Sequence, residues 1–249
     1  MKRTQVVSSI VVLLLSVSGA LAAGETNASS PTVNAPFDHT QGLINSCSFT
    51  PIQISLFPPV QLFSSDTEVR GVRLNLLMGY NTRVDGFDVG VIMSLADELN
   101  GVQIGFINQA ICFTGLQVGL MNVDFVGFAR PIRGSHTDQR SATSRSQGIQ
   151  IGVMNCIGAG PGVADDPSSS FSGLQIGIMN FADEMKGVQI SSVINAANEI
   201  TGLQIGLINT AKILNGVQIG LINRADNGVL FHPFPGEVYG FPIINMAFE

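Results

Sequence analysis

The sequence predicts an all-β protein, a short β-solenoid of 14- or 15-residue coils with a cap at each end. Three observations carry this expectation. An eight-residue motif, Gly101-Val102-Gln103-Ile104-Gly105-Phe106-Ile107-Asn108, recurs at Gly115 to Asn122, Gly148 to Asn155, Gly173 to Asn180, Gly202 to Asn209 and Gly216 to Asn223. Within it, apolar residues at the second, fourth and sixth positions alternate with Gln and Gly at the third and fifth, the period of two of a β-strand. Two glycines in each motif, with β-branched Val and Ile between them, disfavour a helix.

The elements follow in chain order. Met1-Lys2-Arg3, the apolar run Ile10 to Leu15 and the small residues Ser18 to Ala23 have the three regions of a secretory signal peptide, so residues 1–22 are read as removed after Ala22. The apolar run is shorter than the ~20 residues a spanning helix needs. Residues 23–50, rich in Ser, Thr, Asn and Pro, read as a flexible leader. Ile52 to Phe57 and Val60 to Phe63 flank a Pro58-Pro59 turn and suit an atypical first coil of a repeat domain over 51–230. Diverged copies of the motif start at Gly71 and Gly86, and a looser one runs from Gly187 to Asn195 with Ser191 at the second glycine.

Successive motif starts lie 15, 15, 14, 33, 25, 14, 15 and 14 residues apart, which places insertions at 123–147 and 156–172. Residues 231–249, with Phe231, Pro233, Phe234, Pro235 and Pro242, read as a C-terminal cap over an open strand edge, since proline cannot donate to an edge ladder.

A unit this small cannot bury an apolar side alone and must stack on its neighbours. Coils about 4.8 Å apart would set Gln103, Gln117, Gln150, Gln175, Gln189, Gln204 and Gln218 in one column. Asn108, Asn122, Asn155, Asn180, Asn209 and Asn223 would form another, and both columns are expected to make amide ladders. Ala110, Ala182, Ala211 and Ala225 mark the middle of the return segment. Alternation alone does not say which side of the strand is dry.

The alternative architecture is an antiparallel outer-membrane β-barrel that binds or passes solutes. The absence of Trp and the presence of only two Tyr deny it an aromatic girdle, and the motifs are shorter than the roughly 9 to 11 residues of its strands. Membrane insertion is expected only under that alternative.

The repeats resemble those of a bacterial family of exported surface repeat proteins of uncharacterised function, whose units read G-[LV]-Q-[IL]-G-[LV]-[IVM]-N. The resemblance extends to Ser55-Leu56-Phe57-Pro58-Pro59, to Val72 to Tyr80 followed by Gly86 to Gly90, and to the Phe- and Pro-rich tail, covering most of residues 51–249. It implies export and a cell-envelope or surface setting, and it transfers no catalytic residue. The two insertions depart from the pattern.

Chemistry-bearing side chains are sparse. Charged residues make up 12% of the chain, and with Lys2 and Arg3 removed 10 basic residues face 18 acidic ones, a surface that repels nucleic acid. Cys47, Cys112 and Cys156 fit neither a zinc site nor a disulfide framework, and Cys112 and Cys156 read as small buried residues. His39, His136 and His232 lie far apart in the leader, the first insertion and the tail, so no metal or other cofactor is expected. The motifs lack the Asp that calcium-binding β-roll repeats require, and Asp165-Asp166 reads as an exposed turn. A glycan-active β-helix enzyme would need carboxylates along one groove, where this repeat offers Gln, Asn and Gly.

The expected role is therefore a non-catalytic structural or interaction module of the bacterial envelope or surface, with an envelope component or glycan as the partner class left open. Arg130, Arg133, Arg140 and Arg145 in the first insertion, against Asp124 and Asp138, mark a candidate loop for an anionic partner.

Overall fold

The computed structural model describes residues 42–44, 47–58, 60–124, 145–158, 169–227 and 243–248. The expected signal peptide, most of the leader, the centres of both insertions and the start of the tail lie outside the described residues. The described residues form ten strands: β1 (Phe49–Phe57), β2 (Val60–Gln61), β3 (Glu68–Asn75), β4 (Met78–Gly90), β5 (Met93–Asp124), β6 (Arg145–Ile157), β7 (Ser170–Ile205), β8 (Ile208–Gly220), β9 (Ile222–Ala225) and β10 (Ile243–Ala247). No helix occurs among the described residues, so the chain is all-β.

The strands form one mostly parallel sheet ordered β10-β8-β7-β6-β5-β4-β3-β1-β2, with β9 on β8. Register follows the repeat: Gly115, Gln117 and Asn122 pair with Gly148, Gln150 and Asn155, and Gly202 and Gln204 pair with Gly216 and Gln218. Equivalent residues of successive units therefore sit side by side. Strand pairing also runs past the motif, joining Val123 to Cys156 and Asp124 to Ile157, so strand occupies the first residues of both ranges read as insertions.

The barrel alternative is corrected by this topology. Neighbouring strands of an outer-membrane barrel run antiparallel. Here the repeats pair in parallel, and the sheet has two ends rather than a closed ring. Each end carries an antiparallel strand, β2 on β1 and β10 on β8.

Glycine at the first motif position answers a backbone demand. Gly148 has φ +133°, and a Cβ built there would fall far inside van der Waals contact distance of the Gly115 carbonyl oxygen one unit away. A side chain would need both an unfavourable backbone and a clash with an atom held by the sheet. The second motif glycine is crowded by backbone and amide alike: a Cβ at Gly152 would come 2.7 Å from the Gly119 carbonyl oxygen and 2.8 Å from Nδ2 of Asn122.

The buried side has two halves. Motif Gln and Asn fill one, while Ala110, Phe113, Met185, Ile200, Ala211 and Leu214 belong to the apolar cluster of the other. Phe113 and Phe171 stack with ring centroids 5.6 Å apart. The apolar residues of the motif point outward: Ile104, Phe106, Ile151, Ile178 and Leu207 are exposed, whereas Gln103, Gln117, Asn108 and Asn122 are fully buried. Stacking thus hides the polar side of the motif strand and leaves its apolar side uncovered.

Candidate functional site

The inner chemistry is built from amides. Gln117 Nε2 donates to Gln103 Oε1, Gln150 to Gln117, Gln175 to Gln150, Gln189 to Gln175, Gln204 to Gln189 and Gln218 to Gln204, all at 2.7–2.8 Å. Asn245 of β10 extends the column at one end, donating to Gln218 Oε1 at 2.9 Å. At the other end Gln103 Nε2 donates to Asp88 Oδ2 at 2.8 Å. A carboxylate offers only acceptors, so Asp88 turns the Gln103 amino group toward itself and every following amide takes the same sense.

The asparagine column runs in the opposite sense. Asn108 Nδ2 donates to Asn122 Oδ1, Asn122 to Asn155, Asn155 to Asn180, Asn180 to Asn195, Asn195 to Asn209 and Asn209 to Asn223, at 2.8–2.9 Å. The same Nδ2 atoms also donate to backbone carbonyls of the next unit, as Asn122 does to Ile151 O and Asn155 to Ile176 O, at 2.9 Å. Both amino hydrogens of such an asparagine are therefore used, which removes most of the cost of burying it.

Asp88 is held by a buried ion pair. Arg73 Nε and Nη2 reach its two oxygens at 2.8 and 2.5 Å, Asn75 Nδ2 adds a bond at 2.8 Å, and both charged side chains are fully buried. Arg73 Nη1 also donates to the Leu95 carbonyl at 2.8 Å. Arg73 and Asp88 occupy the third position of the two diverged motifs, where the other units have Gln. That substitution is the signal that sequence reading passed over. Asn195 was passed over too, because the extra residue in its unit displaces it by one.

The outer chemistry is partitioned by face. The fourth motif position and its neighbours in register form one apolar column of eleven: Ile54, Leu74, Val89, Ile104, Val118, Ile151, Ile176, Ile190, Ile205, Ile219 and Ile244. A second column beside it includes Ile52, Val72, Phe87 and Val102 in register, and Leu203, Val217 and Met246 at the other end. A third holds Phe106, Leu120, Val153, Ile178, Val193 and Leu207, all exposed. The only charges within the motifs are the buried Arg73 and Asp88.

Among the described residues, exposed charge lies outside the eight-residue motifs. Arg70 pairs with Glu68, Arg83 with Asp85 and Glu98, and Arg224 with Asp226. Burial opposes ionisation of Asp85, but hydrogen bonds from Asn100 and Arg83 outweigh it and lower its pKa. The neighbouring Asp85, by hydrogen bond and charge, raises that of Arg83.

A cleft of about 680 Å³ opens on this polar side, lined by Thr114, Arg145, Ser146, Gln147, Ser170, Phe171, Ser172, Glu184 and Lys186. Arg145 is the exposed first residue of β6, while Arg130, Arg133 and Arg140 lie outside the described residues. Beside the cleft, buried Ser146 donates to Asp124 Oδ2 and accepts from the Phe113 backbone N–H at 3.0 Å. All three cysteines are free; Cys47 is exposed, and Cys112 and Cys156, expected as small buried residues, are partly buried. Burial, with Asp183 and Asp124 adding, pushes the Cys156 thiol up to about 12, so it carries little thiolate character at neutral pH. Among the described residues no group of His, Cys, Asp and Glu could hold a metal ion.

No protein-family model, curated protein or solved structure matches this chain.

Proposed function

We propose that the chain is a non-catalytic structural or interaction module of the bacterial cell envelope or surface, built as a β-solenoid whose coils are the 14- or 15-residue repeats. The observation that carries the reading is the use of the motif polar groups. Gln and Asn, the residues that could bind substrate on an open groove, bond instead to their own copies in the buried interior. What remains for recognition is outer surface: regular apolar columns on one side, and charged return segments with a cleft on the other. Solenoid packing is supported by the parallel, repeat-matched register and by antiparallel strands at both ends.

Export rests on the N-terminal charged, apolar and small-residue regions and on the family resemblance of the repeats. Cell fractionation of a bacterium producing the full chain tests the assignment. The expected result is a protein shortened at Ala22, recovered with the envelope and degraded when protease is added to intact cells or spheroplasts. An unprocessed chain in the cytosol would overturn it.

A further inference from the structure

The outward side of the motif strands is the feature the fold leaves unexplained. It is uncharged and predominantly apolar from β1 to β10, and monomeric proteins rarely leave a contiguous apolar patch of more than a few hundred Å² open to water. Eleven rows at about 4.8 Å, with three columns set two residues apart, make a face about 50 Å high and ~15–20 Å wide, on the order of 800 Å². That is about what each partner contributes to a stable interface of standard size.

We propose that this face binds the same face of a second copy of the chain, giving a two-fold symmetric dimer in which the two sheets pack front to front. The inference rests on the stacked-repeat reading above and names its partner.

Three observations favour a second copy over a lipid surface. The face is self-complementary, because a two-fold axis matches one set of equally spaced Val, Ile and Leu rows with another. Front-to-front packing points the charged return segments of the two copies away from each other, so the acidic surplus of the chain does not oppose contact. Interfacial membrane binders flank an apolar side with Lys and Arg, whereas this chain has 12 basic against 18 acidic residues. Ile151 stands sixth in the column of eleven, so full overlap of two faces places the symmetry axis beside it.

The experiment uses the mature chain in three forms: wild type, Ile151→Lys and Ile151→Glu. Ile151 is 39% exposed, so either charge is solvated in a monomer, and an unchanged far-ultraviolet spectrum verifies the fold. Sedimentation equilibrium is expected to give twice the chain mass for wild type and the single mass for each variant alone. Mixing the two variants should restore the double mass, because the two-fold axis sets the lysine of one chain against the glutamate of the other. A monomeric wild type, variants that remain dimeric, or a mixture that stays monomeric would each overturn the proposal. So would wild type that is monomeric in buffer and floats with phosphatidylglycerol vesicles, an outcome that would assign the face to lipid. Loss of β-structure in wild type would instead count against the stacked-repeat reading itself.

Discussion

Asp88 is where a single residue has the longest reach. Its carboxylate terminates the glutamine column and is neutralised by Arg73, so removing its charge leaves a guanidinium buried with no counter-ion. We expect Asp88→Asn to lower stability by about 3–5 kcal/mol, read as a fall in the urea unfolding midpoint. Adding Arg73→Met should restore most of that loss, since the pair then becomes an amide that can accept from Gln103 and an apolar side chain of similar length. A double variant no more stable than the single one would show that Asp88 matters through packing rather than charge. The recurring Gln and Asn were plain in the sequence, and the hydrogen bonds join those same positions. The terminus was not, because an Arg and an Asp fifteen residues apart in diverged copies look like decay of the motif until register sets them side by side.

At the scale of the strand, the period of two was legible but its sign was not. Shifting the inward set by one residue exchanges the two faces without changing the pattern, so Val-Gln-Ile-Gly reads equally well either way. The decision rests on tertiary facts: Asn122 and its equivalents find both an amide and a carbonyl partner only inside, and the first glycine must approach the preceding unit. Gly148→Ala measures that approach. A Cβ there meets the Gly115 carbonyl at φ +133°, so the cost should be about 3 kcal/mol or more by chemical denaturation. Ile151→Val, on the outer side of the same strand, should stay within about 1 kcal/mol. Equal losses in the two variants would mean that the strand faces are assigned the wrong way round.

At the scale of the whole molecule, the repeats predict a stack, and the ends decide whether it stops. A parallel edge with unpaired N–H and C=O groups is a template for another copy. Here β10 lies antiparallel on β8 with Ile243 opposite Gly220 and Ala247 opposite Gly216, and β2 lies antiparallel on β1. Ending the chain at residue 242 should bare the β8 edge, and sedimentation should then reveal large end-to-end assemblies that the full chain does not form. A truncated chain with unchanged sedimentation would remove β10 from this role. The prolines and aromatics from which a cap is expected lie outside the described residues, and the antiparallel pairing of Ile243 to Ala247 depends on a long-range fit that local composition does not encode. The two amide columns have a further consequence, because they donate in opposite directions along the stack. Each added repeat contributes one side-chain dipole pointing each way, so growth accumulates no axial field of the kind that a lengthening α-helix builds at its termini. Duplication of a 14-residue segment therefore adds no net side-chain dipole, and the number of repeats becomes a dimension that evolution can adjust in steps of one unit.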